Sequence, residues 1–301
     1  MEKIKALIIG GNGFIGSNLC RKLADKGMEV YSFDMVQPHE PDDRINYIQG
    51  DFFDDNVLEK IIQNMDVIYH ALSTINPGNS NTKYMMGYNR DFIQTVKLCS
   101  MLLNSKTKLI FLSSGGTVYG RQEVQPIKEN AVAMPINHYG NVKLCIENTI
   151  RVFDIQANSK MVIARISNPY GPGQDFTKGV GFIDAVIKNA INDKVVEVWG
   201  NGEIIRDYIY IDDVCEMLYS LAEYEGEEVI FNLSSGVGTS QNQIISIVSK
   251  IVGEVKVDYK DARSVDVPKL ILDNKKIKNI LPINICNIND GIKKYCNYLN
   301  V

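Results

Sequence analysis

The chain has 301 residues, 45% of them hydrophobic, and a formal net charge of -4, which suits a globular protein of one or two intertwined domains. Basic and acidic residues are interspersed without a lysine-arginine block, so neither nucleic acid nor an anionic membrane is expected as a partner. The longest apolar run near the start, residues 6–9, is too short for a signal peptide or a membrane span.

The cysteines and histidines limit the chemistry that the chain could carry. Six cysteines are scattered without CxxC pairing, which is typical of reduced cysteine in a core and not of disulfides or zinc sites. We therefore expect a cytoplasmic protein. Only three histidines are present, His39, His70 and His138, and no metal site is predicted.

Short apolar segments alternate with amphipathic segments in the first half of the chain. The predicted strands are residues 4–9, 29–34, 46–49, 67–70, 109–112 and 162–166, and the predicted helices are residues 14–25, 57–65, 86–103 and 141–153. This alternation predicts an α/β fold with a doubly wound parallel Rossmann sheet. Because proline and glycine interrupt the periodicity after Arg165, we predict a large domain over 1–166 and a smaller C-terminal α/β lobe over 167–301, with part of 207–235 returning to the large domain.

Three glycines, Gly10, Gly13 and Gly16, occupy the predicted turn between the first strand and the first helix. Glycine permits a tight turn and a close approach of the backbone to a pyrophosphate, and the helix N-terminus attracts that anion. Asp34 ends the second strand, 18 residues after Gly16 (34 minus 16), where a carboxylate would hold ribose hydroxyls. The pattern predicts a dinucleotide site, and ordinary turn glycines are the alternative.

Asp34 also favours NAD over NADP, because its charge would repel a ribose 2'-phosphate. The next four residues, 35–38, include no arginine that could attract such a phosphate. Arg44 lies further along and could swing towards it.

Tyr139 and Lys143 stand four residues apart, and residues at i and i+4 share one face of a helix. A tyrosine base at neutral pH requires its pKa to fall from near 10 by about 3 units, roughly 4 kcal/mol in favour of the phenolate. A neighbouring lysine and a cationic nicotinamide ring could together supply that. The pair predicts a nicotinamide enzyme, and a half-buried tyrosine beside a surface lysine is the alternative.

Seven ordered motifs together resemble the extended short-chain dehydrogenase/reductase family. They are GGNGFIG, Asp34, Gly50-Asp51-Phe52, His70-Ala71, SSGGTVYG (residues 113–120), YxxxK and Arg165-x-x-Asn168-x-Tyr170-Gly171-Pro172. Within that family the chain is most similar to NAD-dependent nucleotide-sugar epimerases of the UDP-glucose 4-epimerase type, over essentially its whole length.

The resemblance implies a role for each matched residue. Tyr139 would be the base, Lys143 would orient the nicotinamide ribose and lower the tyrosine pKa, and Ser114 or, with slight preference, Thr117 would supply a third hydroxyl. The position often filled by serine or threonine is Gly115 here. The residues that would bind NAD are Gly10, Gly13, Phe14, Ile15, Gly16, Asp34, Asp51, Phe52, Ala71, Leu72, Tyr139 and Lys143, with Asp51 and Phe52 bracketing adenine.

The resemblance also places a nucleoside diphosphate on the smaller lobe. Arg206 and Arg263 would bind phosphate, and the other implied contacts are Thr117, Asn168, Val180, Trp199 and Asp266. Ordinary surface salt bridges for the arginines, and a core role for the tryptophan, are the alternatives.

The expected reaction is reversible epimerisation at carbon 4 of a UDP-hexose through a 4-keto sugar. The alternatives are an NAD(P)H-dependent nucleotide-sugar 4-ketoreductase and a catalytically silent NAD-binding protein. A 4,6-dehydratase is disfavoured, because Gly116 and Thr117 stand where those enzymes have an acid pair. Leu270 matches the position beside the hexose 2-substituent, and a homodimer through helices 86–103 and 141–153 is expected.

Overall fold

A parallel sheet forms the centre of the structure, a computed structural model that describes residues 3–157, 160–174, 181–262 and 267–301. Its strands are β1 (Lys5–Ile9), β2 (Glu29–Asp34), β3 (Ile45–Gln49), β4 (Val67–His70), β5 (Lys108–Ser114), β6 (Met161–Ile166) and β10 (Ile230–Leu233). They lie in the order β10-β6-β5-β4-β1-β2-β3, and every neighbouring pair is parallel. The predicted α/β fold with a doubly wound parallel sheet is confirmed.

Helices cover both faces of this sheet. The helices are α1 (Phe14–Asp25), α2 (Asp55–Ile61), α3 (Tyr84–Met86), α4 (Ile93–Leu102), α5 (Gly115–Val118), α6 (His138–Gln156), α7 (Phe182–Ile191), α8 (Ile211–Glu223), α9 (Gln241–Val252), α10 (Lys275–Ile280) and α11 (Ile288–Tyr298). One apolar cluster joins the sheet to α1 and α8, and a second joins its other face to α4 and α6. Because both faces are covered, strands such as β4 are buried at every position.

Two helices differ from the sequence prediction in ways that matter for the site. In place of one helix over 86–103, the chain forms α3, which ends at Met86, a π-helical segment at Gly87–Phe92, and then α4. The predicted helix 141–153 begins earlier, at His138, because the side chain of Asn137 accepts a hydrogen bond from the backbone N–H of Gly140 at 2.8 Å. Tyr139 is therefore in the first turn of α6.

The C-terminal part contains smaller sheets beside the carboxyl ends of the central strands. Their strands are β7 (Asn168–Tyr170), β8 (Val196–Trp199), β9 (Ile205–Tyr210), β11 (Gly238–Ser240), β12 (Val257–Lys260) and β13 (Lys269–Leu270). Strand β9 pairs with β7, β11 and β13, and β8 pairs with β12. Helix α8 and strand β10 pack with the central sheet, and the division into domains 1–166 and 167–301 stays a prediction.

Among the described residues, no helix combines the length and the apolar character needed to cross a bilayer.

Candidate functional site

The turn from β1 to α1 has the geometry of a phosphate-binding loop. Gly10 has φ +82°, and a Cβ atom there would lie 2.9 Å from the backbone nitrogen of Leu72. A Cβ at Gly16 would lie 2.2 Å from the carbonyl oxygen of Gly10, so these two glycines allow the turn to close. A Cβ at Gly13 would have only the Gly10 oxygen nearby, at 3.3 Å. Gly13 therefore leaves the loop open to a cavity of about 1020 Å³, which it lines together with Phe14.

Asp34 ends β2 beside this loop. Its Oδ2 accepts a hydrogen bond from the backbone nitrogen of Asn12 at 3.2 Å, and its Oδ1 accepts one from that of Val36 at 3.1 Å. The Asn12 side chain donates to the Val36 carbonyl oxygen at 2.6 Å and accepts from the Ser32 hydroxyl at 2.7 Å. Asn12 thus fixes the loop against the strand that carries the carboxylate. Asn12 belongs to the GGNGFIG motif, and no separate role was predicted for it.

Arg44, the cation that could have attracted a 2'-phosphate, is engaged elsewhere. Its guanidinium is ion-paired with Asp25 at 2.5 Å and with Asp42 at 2.6 Å. The hydrogen bonds from Arg44 hold the pKa of Asp42 at about 2, so the pair stays ionised over the ordinary pH range. This engagement agrees with Asp34 in favouring NAD.

The remaining residues expected to bind the dinucleotide lie around the same strand ends. The side chain of Asp51 is 42% exposed, whereas the Phe52 ring is 1% exposed and packs 5.0 Å from the His70 ring. The Phe52 ring is therefore enclosed in the core, and the bracketing of adenine by Asp51 and Phe52 stays a prediction. Ala71 extends the pairing of β4 with β1 by donating its backbone N–H to the Ile9 carbonyl oxygen. The backbone of Leu72 lies against Gly10 in the glycine turn. Ile15, in the first turn of α1, is partly buried and packs against the apolar core.

Lys143 is buried on α6, with 4% of its surface exposed. Its Nζ donates to the carbonyl oxygen of Leu112 at 3.0 Å and lies 4.6 Å from the centre of the Phe111 ring. Burial lowers the pKa of Lys143 to about 8, against the opposing effect of Asp91 and Glu147. Nζ lies 5.7 Å from the centre of the Tyr139 ring, so the lysine and the tyrosine share one helical face as predicted.

Burial dominates the ionisation of Tyr139. Burial, with a smaller contribution from Asp91 and against the opposing effect of Ser114, raises the pKa of the phenol to about 12. The direction is opposite to the lowered pKa expected from the lysine, because burial disfavours the charged phenolate. In the protein alone the side chain is a neutral phenol at neutral pH.

The candidate third hydroxyls lie at the end of β5 and the start of α5. Ser114 hydrogen-bonds to the phenol, whereas Thr117 Oγ1 donates to the Ser114 carbonyl oxygen at 3.4 Å. Ser114 is thus the hydroxyl that acts on the phenol, and the choice between Ser114 and Thr117 as the third catalytic hydroxyl stays a prediction. A Cβ at Gly115 would lie 2.4 Å from Leu272 Cδ1, so the departure from serine at this position fits the packing of that leucine.

Two further buried polar residues, Asp91 and His70, differ in how they relate to the pair Tyr139 and Lys143. Asp91, in the π-helical turn, is 2% exposed and acts on both Tyr139 and Lys143. No role was predicted for Asp91, although it is the one acidic residue of the predicted helix 86–103. His70 lies between the Phe52 and Phe111 rings, and burial lowers its pKa to about 3, so it is neutral.

The predicted substrate contacts are only partly within the described residues. Asn168 donates its side-chain N–H to the Asp207 carbonyl oxygen at 2.9 Å and lies beside Gly116. Arg206 Nη1 donates to the Val267 carbonyl oxygen at 2.7 Å, and Trp199 ends β8 with 36% exposure. The other three predicted contacts, Val180, Arg263 and Asp266, lie outside the described residues.

Leu270 is 1% exposed in an apolar cluster with Val118 and Leu272. Its side chain therefore packs in the interior, and contact with a sugar would first require that cluster to rearrange.

These side chains fit a dinucleotide. The loop at Gly13 is free of side-chain atoms where a pyrophosphate would approach, and Asp34 stands at the end of β2. Lys143 lies against β5, through its hydrogen bond to Leu112. Within the described ranges, no group of three or more His, Cys, Asp or Glu side chains could hold a metal ion.

Comparisons with known proteins agree with this geometry. Residues 6–234 match the family model of the NAD-dependent epimerase/dehydratase family. The chain is 30% identical to a dTDP-4-dehydro-6-deoxyglucose reductase of Escherichia coli, over 91% of this chain and 90% of that protein. It is 27% identical to a putative UDP-glucose 4-epimerase of Methanocaldococcus jannaschii, over 97% of each chain. The crystal structure of UDP-glucose 4-epimerase from Thermotoga maritima with UDP-glucose superposes with a TM-score of 0.91 at 28% identity, over 99% of each chain.

Proposed function

Because the chain belongs to the NAD-dependent epimerase/dehydratase family, we propose that it interconverts the two epimers at carbon 4 of a UDP-linked hexose. It is an NAD-dependent enzyme of the nucleotide-sugar epimerase type; the UDP group and the identity of the hexose are the proposal. One observation carries it. The phenol of Tyr139 shares a buried helical face with Lys143 and is acted on by Ser114, which ends β5 at the same edge of the parallel sheet as the glycine loop after β1.

Each of these side chains has a task in such a reaction. Bound NAD supplies the hydride acceptor and donor. Tyr139 takes the proton of the 4-hydroxyl as hydride leaves carbon 4, and Ser114 holds the same oxygen by a hydrogen bond. The resulting 4-keto sugar turns in the site, hydride returns to its opposite face, and Tyr139 gives the proton back. Nothing is oxidised overall.

The lobe beside the sheet supports binding of a nucleotide. Arg206 provides a guanidinium suited to phosphate, and Trp199 offers a partly exposed aromatic face to a base. We propose diphosphate and uridine contacts at Asn168, Arg206 and Trp199, and also at Val180, Arg263 and Asp266. A site that grips the nucleotide and leaves the hexose loose would let the keto sugar rotate.

The test is turnover without added reductant. Purified protein should convert UDP-glucose to UDP-galactose, or interconvert their N-acetylated forms, as followed by proton NMR with no NADH supplied. Tyr139→Phe should abolish the conversion and keep NAD binding. Failure on all four UDP-sugars would contradict the proposal.

A second candidate, a nucleotide-sugar 4-ketoreductase, is supported by the 30% identity to the Escherichia coli reductase. The same three side chains would then give a proton to a keto oxygen while NADH gives up hydride. A 4-keto-6-deoxy sugar linked to dTDP should be reduced with one NADH consumed per product. Epimerisation without consumption of NADH would decide against the reductase. If the protein shows neither epimerisation nor reduction, a catalytically silent NAD-binding protein is the remaining alternative.

We also propose a homodimer that packs through α4 and α6. Both helices expose apolar side chains: Ile93 is 46% exposed, Val152 56% and Ile155 86%. Light scattering after gel filtration should give twice the chain mass of 33.8 kDa, and Ile155→Glu should shift the protein towards monomer. A monomeric wild type would exclude this assembly.

All six cysteines are free, which supports the expectation of a reducing, cytoplasmic setting.

A further inference from the structure

The large cavity beside the glycine turn is lined by segments from both ends of the chain. Its walls include Gly13 and Phe14 of the turn, Pro38 and Glu40 of the loop after β2, and Tyr298 at the end of α11. The Tyr298 hydroxyl donates a hydrogen bond to Glu40 Oε1 at 3.4 Å. Since both side chains are exposed and both residues line the cavity, this contact spans the cavity at its solvent edge. A dinucleotide at the glycine turn would lie behind it.

Residues 38–41, the flap, are held by little else. The flap reads Pro-His-Glu-Pro, and its last three residues are exposed. Among the ranges that the structure describes, it makes a single hydrogen bond, the one that Glu40 accepts from Tyr298. Residues 35–37 just before it are tied to Asn12 and to Gln49. Because a proline fixes φ at each end of the flap, we expect it to move as one short unit.

Helix α11, which carries Tyr298, is held firmly. Ile292, Tyr295 and Cys296 share one face of the helix and are buried in an apolar cluster with α7 and α9. The Tyr295 hydroxyl also donates to Asp184 Oδ1 on α7 at 2.7 Å. Of the two partners in the contact at the cavity edge, Tyr298 is therefore the fixed one and the flap is the one that can move.

A second contact joins the two halves of the molecule at this cavity, and it is of a different kind. Asn18 on α1 donates Nδ2 to the Pro172 carbonyl oxygen at 2.8 Å, and this bond is partly buried. Gly173, which lines the cavity, leaves no room there, since its Cβ atom would lie 3.2 Å from the same nitrogen. The contact of the flap is longer and exposed, so it is the weaker of the two. The cavity thus has one closed side and one side that can open.

We propose that the flap opens to admit and release the dinucleotide, and that the hydrogen bond from Tyr298 to Glu40 holds it closed between these events. The bond forms whether or not a dinucleotide is bound. Loosening it therefore raises the rates of entry and release together and leaves the equilibrium affinity unchanged. Slow release suits an enzyme that reuses one NAD over many turnovers. The inference goes beyond the proposed reaction, because it concerns NAD binding whichever sugar is converted.

Tyr298→Phe removes the donor and keeps the ring. It should raise the association and dissociation rate constants of NADH about threefold each, and change Kd by less than about 1.5-fold. Stopped-flow fluorescence of NADH gives both rates, on mixing with nucleotide-free protein and on displacement by excess NAD. Calorimetry gives Kd.

Variants of Glu40 separate the hydrogen bond from the charge. Glu40→Ala should accelerate both rates as Tyr298→Phe does, and the double variant should be no faster than either, since both changes remove the same bond. Glu40→Gln removes the charge and keeps an acceptor oxygen, so its rates should stay within about 1.5-fold of wild type. Rates as fast in Glu40→Gln as in Glu40→Ala would overturn the proposal.

Tyr259→Phe is the matched control. Tyr259 is 52% exposed, against 48% for Tyr298, and its hydroxyl donates to Asn242 Oδ1 at 2.9 Å. Both residues lie outside the lining of the cavity, and neither NADH rate should change. Unchanged rates in a folded Tyr298→Phe protein, an equal acceleration in Tyr259→Phe, or a weaker Kd at an unchanged association rate would each contradict the proposal. No sugar is present in these measurements, so a failure of UDP-sugars to turn over would count against the proposed function and not against the flap.

Discussion

Lys143 donates a hydrogen bond from Nζ to the carbonyl oxygen of Leu112, and so α6 is tied to β5 by the side chain that faces Tyr139. The bond keeps an ammonium in the interior where it has 4% exposure. The same strand carries Ser114 two residues further on, in contact with the phenol. One backbone contact therefore sets the positions of the cation, the base and the hydroxyl relative to each other.

Removing the charge of Lys143 should change how stability depends on pH. The folded pKa of Lys143, about 8, lies below its ordinary value, so between the two values the unfolded chain binds more protons and stability rises with pH. Wild type should gain about 1.5 kcal/mol relative to Lys143→Met between about pH 8 and about pH 9.5. Urea unfolding of both proteins over this range measures the difference. Parallel curves would mean that the lysine is not buried as an ammonium.

Mutation should distinguish Ser114 from Thr117 as the source of the third catalytic hydroxyl. Ser114→Ala removes the hydrogen bond to the phenol and should lower kcat about a hundredfold with little change in stability. Thr117→Ala removes a 3.4 Å hydrogen bond to a carbonyl oxygen and should lower kcat by less than about tenfold. Measuring the steady-state kcat of both variants with a UDP-sugar that the wild type converts distinguishes the two candidates. The reverse order of effects would assign the third catalytic hydroxyl to Thr117.

Gly13 and Gly16 should respond differently to alanine. The methyl of Gly13→Ala meets only the Gly10 oxygen, at 3.3 Å, so the protein should fold normally and lose NAD affinity by about tenfold or more, as the methyl occupies the face offered to the pyrophosphate. The methyl of Gly16→Ala would lie 2.2 Å from the same oxygen and should cost about 2–4 kcal/mol of stability. Calorimetric NAD titration and thermal melts separate the two results. Undiminished NAD binding by Gly13→Ala would place the dinucleotide elsewhere.

The buried pair of Glu147 and Arg165 should be sensitive to the loss of one partner. Glu147→Gln leaves a guanidinium that is 5% exposed without its carboxylate, and should cost about 3–5 kcal/mol in urea unfolding. Replacing both residues by methionine should cost much less, because no charge is then stranded. The exposed pair of Lys97 and Asp55 is the control, and its loss should stay within about 0.5 kcal/mol. Equal losses for the buried and exposed pairs would contradict this account.

Spacing in the sequence was enough to place the elements of the nucleotide-binding half. The ends of α1, β2 and β4 agree with the prediction to the residue, since apolar runs, glycine stops and polar turns are local signals. The start of α6 was missed by three residues because its cap, Asn137, lies in a run of turn-forming residues.

The four-residue spacing of Tyr139 and Lys143 did not predict that the pKa of Tyr139 is raised above its ordinary value. The sequence determined that a phenol and an ammonium share one face of a helix, since that depends only on the 3.6-residue period. The tertiary structure decided that the phenol is desolvated and that the charge of Asp91, 48 residues away along the chain (139 minus 91), acts on it. Burial and through-space charge arise from segments that meet only when the chain is folded, so no pattern along the chain records them.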